Sequence, residues 1–284
     1  MFKTAIVGID LSPAQAALLS CLPDLAKWGI DHVVLVHVVT VGYGQGAGYG
    51  HEQEYRDWLE TCAEPLRASG LDVEVAVEDS GSVVQALLQA AADRAADLLV
   101  VGSRSHNFLR KVFLGSVARS VITQAELPVL LQRLEPDESG SPDSCAAVCA
   151  RALDRVLLAT DLSAQSSSAE QAALVLAASS GQIDCLYVRE PGQSPGQHLD
   201  DAEAEQRLQD IVRRIEQAGA PGKVRIEEGR PREVVSRISQ QGYTLVVLGK
   251  HGHGWVPGAL IGSTALEVCE SARRPVLMVP VQVD

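Results

Sequence analysis

Thr244-Leu-Val-Val-Leu-Gly249-Lys-His-Gly252, nine residues, then Gly262-Ser263-Thr264-Ala265 is the stretch whose reading decides the fold. It opens as a short apolar run of strand type, passes through two glycines and enters a helix-like segment at Gly262-Ser263. The same order occurs earlier, as Asp97-Leu-Leu-Val-Val-Gly102-Ser-Arg-Ser105, nine residues, then Gly115-Ser116-Val117. A strand, a small-residue loop and a helix start, found twice at one spacing, point to a duplicated α/β unit.

Working outward, Pro128-Val-Leu-Leu131 matches Pro275-Val-Leu-Met278, and these segments share one offset of 147 residues (102 to 249, 115 to 262, 128 to 275). Thr4-Ala-Ile-Val-Gly-Ile-Asp10-Leu-Ser12 matches Arg155-Val-Leu-Leu-Ala-Thr-Asp161-Leu-Ser163 at an offset of 151 (10 to 161). The halves are therefore colinear, with about four extra residues inside the first. Between them, Glu135-Pro-Asp-Glu-Ser-Gly-Ser-Pro-Asp-Ser144 has the Pro, Gly, Ser and acidic content of a linker. The expected boundaries are 1–134, a linker at 135–150, and 151–284.

In the first half, strands are expected at Thr4–Ile9, His32–Val39, Asp72–Val77, Leu98–Val101 and Val129–Leu131, with helices near 13–28, 51–69, 82–95 and 116–125. In the second, strands fall near 155–160, 183–188, 223–227, 245–248 and 276–279, and helices near 166–180, 200–218, 231–241 and 263–272. Strict β/α alternation with nearly continuous apolar strands predicts two tandem open, parallel, five-stranded sheets of Rossmann-like type, with helices on both faces.

The chain has 284 residues, of which 46% are hydrophobic and only 4% aromatic, enough for a real core in each half. A net charge of −12 with no basic stripe argues against nucleic acid as a partner. The six cysteines form no framework, so reduced thiols are expected. Met1-Phe2-Lys3 enters a strand-like run at once and no apolar run reaches membrane-spanning length. No signal peptide and no membrane association are therefore expected, and the expected location is the cytoplasm.

In open α/β sheets ligands bind beyond the carboxyl ends of the strands. Gly249, Gly252 and Gly262 allow close approach of backbone amides to phosphate oxygens, and Ser263 opens a helix whose first amides and dipole favour an anion. Ser263 and Thr264 add hydroxyl donors. In the first half Ser105 stands at the second glycine position and Val117 at the position of Thr264, so weaker or absent binding is expected there. Asp10 and Asp161, just past the first strands, are placed to accept hydrogen bonds from a sugar or to cap the next segment. His251 and His253 flank Gly252 and are read as phosphate neighbours or solvated loop residues, with no resident metal site.

Other apparent motifs fail their context. Gly42-x-Gly44-x-x-Ala47 follows the second strand and opens no helix. Gly192-x-Ser194-x-Gly196 contains a proline and lacks a strand-turn-helix setting. No Walker-type loop is present.

On Gly249, Gly252, Gly262 and Ser263, the chain resembles the universal stress protein family in its tandem form, over essentially its full length. Its ATP-binding members share the pattern G-x-x-G, nine residues, G-(S/T). The resemblance implies an ATP site in the second half made by Thr160, Asp161, Val188, Gly249, His251, Gly252, Gly262, Ser263, Thr264 and Ala265. Asp161 would lie by the ribose and adenine, Val188 in the adenine pocket, and Mg2+ would arrive with the nucleotide. The corresponding residues of the first half are Ile9, Asp10, Val38, Gly102, Ser105, Gly115, Ser116 and Val117. It further implies a stress-response regulator with an unknown protein partner. An intrachain pseudo-dimer is expected through the last strands, and further association into a homodimer is open. No catalytic residue is assigned. The alternatives are a slow ATPase or self-phosphorylating enzyme, and a scaffold for a ligand that is not a nucleotide, marked by an enlarged apolar pocket near Val38 and Val101.

Overall fold

Thr-Ala-Ile-Val-Gly at Thr4–Gly8 forms strand β1, whose Ala5, Ile6 and Val7 are completely buried. Burial on both faces is what an apolar run without alternation requires, and each such side chain contributes about 1.5–3 kcal/mol. The computed structural model describes residues 2–12, 15–40, 52–103, 114–134, 151–191, 199–253 and 260–281. The linker at 135–150, the glycine loop at 41–51 and residues 192–198 lie outside them.

The chain divides into two compact units. In the first, β1 is followed by β2 (His32–Thr40), β3 (Asp72–Ser80), β4 (Leu98–Ser103) and β5 (Val129–Arg133). These pair in parallel in the order β3-β2-β1-β4-β5. The second unit has β6 (Val156–Ala159), β7 (Ile183–Arg189), β8 (Val224–Glu228), β9 (Leu245–Gly249) and β10 (Val276–Val279). Its order is β8-β7-β6-β9-β10, again all parallel. Each sheet is an open, Rossmann-like α/β sheet. In each, the strand order reverses beside the first strand, between β1 and β4 and between β6 and β9, which opens a crevice at the carboxyl ends.

The first unit's helices are α1 (Gln15–Cys21), α2 (Glu52–Ala68), α3 (Val83–Asp93) and α4 (Ser116–Gln124). Those of the second are α5 (Ser167–Ala177), α6 (Asp201–Ala218), α7 (Pro231–Ser239) and α8 (Ser263–Ser271). The single helix expected over 13–28 is instead α1 followed by a tight 3-10 segment, Leu22–Trp28, with Pro23 at its start and left-handed Gly29 (φ 90°) at its end. Proline has no N–H to continue the α1 ladder, so the chain tightens there. In α6 the Asp200 carboxylate accepts the Glu203 N–H at 2.7 Å, and Gly219 (φ 120°) ends the helix.

The amino end of the second sheet holds a buried polar cluster. Asp184, at the start of β7, is 1% exposed. It accepts from the Tyr243 hydroxyl at 2.6 Å, Gln182 Nε2 at 2.7 Å and the Arg155 guanidinium at 3.2 Å. That guanidinium also lies 4.3 Å from the centre of the Tyr243 ring. Every partner is needed, because a buried carboxylate without donors is costly.

Cys21 is disulfide-bonded, which corrects the expectation that all six thiols are reduced; Cys62, Cys185 and Cys269 are free. Burial, and then the nearby charges of Glu170 and Asp184, push the Cys185 thiol up to about 12. The thiolate is the reactive form. Iodoacetamide at mildly alkaline pH should therefore label half-buried Cys62 in the native protein and leave buried Cys185 and Cys269 unlabelled until denaturant is added. Peptide mass spectrometry checks this, and labelling of native Cys185 at the rate of Cys62 would refute it.

Candidate functional site

The second unit's crevice is a cleft of about 640 Å³, inside the range of small-molecule sites. All ten residues singled out in the second half line it: Thr160, Asp161, Val188, Gly249, His251, Gly252, Gly262, Ser263, Thr264 and Ala265. Parallel register sets Ala159 beside Leu248, so Asp161 and Lys250 leave neighbouring strands at the same end.

The Asp161 turn is tied down by its own sequence. The Thr160 hydroxyl accepts the Leu162 N–H at 3.0 Å and donates to Glu170 Oε1 at 2.8 Å. Asp161 Oδ1 accepts the Ser163 N–H at 3.1 Å and the Ser163 hydroxyl at 2.6 Å. Leu162 between them is left-handed, at φ 58°, a conformation that costs a non-glycine residue about 1–2 kcal/mol. The other carboxylate oxygen reaches the glycine loop, where Asp161 Oδ2 accepts the His253 N–H at 2.6 Å. Gly252 lies so close to this carboxylate that a Cβ there would overlap Asp161 Oδ2. Glycine is thus required by close approach, and the loop with Asp161 forms one constrained wall.

The opposite wall is the start of α8. The Gly262 N–H donates to the Lys250 carbonyl at 2.9 Å, and a Cβ on Gly262 would lie 3.2 Å from that same oxygen. This fixes the entry to the helix. Ser263 and Thr264 are exposed, and the first amides of α8 have no intrahelical acceptor. Together they present hydroxyls and N–H groups under the positive end of the helix dipole.

The cleft also contains residues that the spacing argument missed: Ser166, Tyr187, Glu190 and Lys250. Lys250 is 5% exposed, and burial lowers its pKa. Burial also raises the Tyr187 phenol, helped by the charge of Asp161. Lys250 sits inside the quoted glycine segment, so its position alone was a usable signal; Glu190 follows β7 with no motif around it.

The first unit's cleft, at the matching crevice, measures about 210 Å³. It gathers Ile9, Asp10, Val38, Gly102 and Val117, while Gly115 and Ser116 are not among its lining residues. Ser105 lies outside the described residues. Asp10 closes a local turn, accepting the Ser12 N–H at 3.2 Å and the Ser12 hydroxyl. The enlarged pocket near Val38 and Val101 that would mark an apolar scaffold is absent among the described residues: the cleft there is the smaller of the two.

Among the described residues no helix is long and apolar enough to cross a membrane. A family model described as the Universal stress protein family matches residues 1–133 and again residues 152–280. A universal stress protein of Mycolicibacterium smegmatis is 30% identical, with 96% of each chain covered. A shorter one from Thermus aquaticus is 39% identical over its whole length and covers 47% of this chain. The crystal structure of a universal stress protein from Archaeoglobus fulgidus superposes with a TM-score of 0.76 at 21% identity, covering 98% of both chains, and so shares the fold.

Proposed function

The chain belongs to the universal stress protein family as a tandem of two copies, and on that premise we propose that it is an ATP-binding regulator whose second unit holds the nucleotide. The observation that carries this reading is the pairing of a glycine loop that tolerates no Cβ at Gly252 with the open amides of α8, across a cleft of about 640 Å³. Backbone N–H groups and the hydroxyls of Ser263 and Thr264 cradle the phosphates. Asp161 accepts the ribose hydroxyls, and Val188 and Val235 enclose the base. Mg2+ accompanies the nucleotide, held by phosphate oxygens and water. The domain limits that go with this reading are 1–134 and 151–284, joined by 135–150.

Occupancy fills the cleft beside Gly252 and Gly262 and so changes the surface offered to a protein partner. A regulator fits the site better than an enzyme does. Both oxygens of Asp161 already accept backbone hydrogen bonds, so this carboxylate is committed to holding the glycine loop and its own turn. Turnover should accordingly lie far below the roughly 1–10³ s⁻¹ of typical enzymes.

The test is to denature the purified protein and quantify released nucleotide by chromatography, repeating after reloading with ATP and magnesium. About one ATP per chain is the expected result for one working cleft. Two per chain would overturn the assignment to the second unit alone, and none after reloading would overturn the reading.

A further inference from the structure

We propose that Glu170 is a positioning residue of the second cleft: through the Thr160 hydroxyl it holds Leu162 left-handed and so aims the Asp161 carboxylate at the glycine loop. The reading of that cleft as a nucleotide site enters only in what is bound there; the geometry of the turn is independent of it.

The two units contain the same turn in two conformations. Asp10-Leu11-Ser12 and Asp161-Leu162-Ser163 are identical in sequence. In both, Oδ1 of the aspartate accepts the serine N–H and the serine hydroxyl. Yet Leu162 is left-handed, at φ 58°, and only 8% exposed, whereas Leu11 is 55% exposed. Among the described residues the left-handed ones other than glycine are Ala95 and Leu162, so Leu11 keeps an ordinary backbone. The aspartate–serine bonds therefore do not require the left-handed form, which a leucine disfavours by roughly tenfold. Something outside the three residues imposes it on Leu162.

Three nearby positions differ at the same offset of 151 residues that relates the turns: Ile9 against Thr160, Gln15 against Ser166, and Leu19 against Glu170. In the second unit these side chains meet. The Thr160 hydroxyl accepts the buried Leu162 N–H at 3.0 Å and donates to Glu170 Oε1 at 2.8 Å. Ser166 Oγ lies 2.9 Å from Thr160 Oγ1 and 3.3 Å from Glu170 Oε1, and it donates to the Ser163 carbonyl at 2.9 Å. A hydroxyl has one proton, so Thr160 presents a lone pair to Leu162 only while its proton is directed elsewhere. Glu170 Oε1 gives that proton a fixed destination. Without it the proton turns to Ser166 Oγ, itself a rotor, and the acceptor under Leu162 loses its orientation. In the first unit Ile9 carries no hydroxyl and Leu19 no acceptor.

The consequence reaches the cleft. Thr160 and Ser166 line it and Glu170 does not, so Glu170 acts through them. Ser166 Cα stands 3.5 Å from where a Cβ on Gly249 would lie, and Asp161 Oδ2 holds the His253 N–H. One line of contacts thus runs from Glu170 on α5 through the Leu162 turn to Asp161 and the loop around Gly252.

The test combines Glu170→Leu, which installs the first unit's residue, with Glu170→Gln, which keeps an acceptor oxygen, and with Leu162→Gly, which takes φ 58° without penalty. Titration calorimetry with ATP and magnesium reads affinity. Hydrogen exchange followed by NMR on the full chain without nucleotide reads the turn. Glu170→Leu should weaken ATP about tenfold and speed exchange of the Leu162 and His253 amides about tenfold, while Val246 and Val247 in β9 keep their protection. Glu170→Gln should stay within about threefold of the parent. In a Leu162→Gly background, Glu170→Leu should cost less than about threefold, because the conformation no longer needs enforcing; a merely structural role gives the same loss in both backgrounds. Should Glu170→Leu not fold by circular dichroism, Glu170→Ala takes its place. The proposal is overturned if the folded variant binds and exchanges like the parent, if Glu170→Gln loses as much as Glu170→Leu, or if Leu162→Gly leaves the loss unchanged. If the parent binds no ATP, the nucleotide reading fails and the exchange rates alone decide the role of Glu170.

Discussion

Gly252→Ala lowers the affinity for ATP at least a hundredfold, about 2.7 kcal/mol, while Gly115→Val in the first unit leaves it unchanged. The asymmetry follows from what each new side chain meets. A Cβ at Gly252 overlaps Asp161 Oδ2, and that carboxylate has no free direction of retreat. Its other oxygen is held by the Ser163 N–H at 3.1 Å and the Ser163 hydroxyl at 2.6 Å. Either the loop or the aspartate must move, and the proposed site uses both. At Gly115 a Cβ meets nothing within 4 Å. Isothermal titration with ATP and magnesium, supported by circular dichroism, reads the difference. Wild-type affinity in Gly252→Ala, or a larger loss from Gly115→Val, would invert the ranking of the two clefts.

Asp184→Ala is the substitution with the largest expected effect on stability, a loss of about 2–3 kcal/mol from the second unit. It leaves the proton of the buried Tyr243 hydroxyl without its acceptor and removes the anionic partner of Arg155, whose guanidinium lies 3.2 Å from Asp184 and is held over the tyrosine ring. Adding Tyr243→Phe removes one stranded donor, so the double variant should recover part of the loss. Such coupling of about 0.5–3 kcal/mol is what a shared network produces. Urea unfolding followed by hydrogen exchange resolves the second unit's transition from the first's. An unshifted transition would mean the cluster contributes nothing net.

The sheet architecture was legible because strands covered on both faces carry unbroken Val, Leu and Ile runs, and because those runs recur at a fixed offset. The positions of Gly249, Gly252 and Gly262 around one cleft were legible for the same reason: strand, loop and helix start are local signals. What escaped the sequence depends on contacts between distant segments. Nothing near Gly252 announces that its neighbour is Asp161, since the bond from the His253 N–H spans 92 residues. The Asp184 cluster was hidden inside a run read as an ordinary strand, its partners Arg155 and Tyr243 lying 29 and 59 residues away. The loss of space in the first cleft comes from Leu134 reaching back over Gly102, which pattern matching cannot see. Local chemistry misled at Pro23, where one helix was expected and α1 gives way to a 3-10 segment, and at Cys21, which was expected to be a reduced thiol and is disulfide-bonded.

The bond from the His253 amide to Asp161 gives the second cleft a chemical identity of its own. The carboxylate is already liganded, and the competitor is the protein. A sugar presenting one hydroxyl merely exchanges one donor for another and gains little. On the proposed reading, a vicinal diol brings two donors to the same carboxylate and can outbid the single amide, which sets a threshold in donor number. Discrimination between ribose and deoxyribose would then need no residue aimed at the missing hydroxyl; the amide partner of Asp161 would supply it.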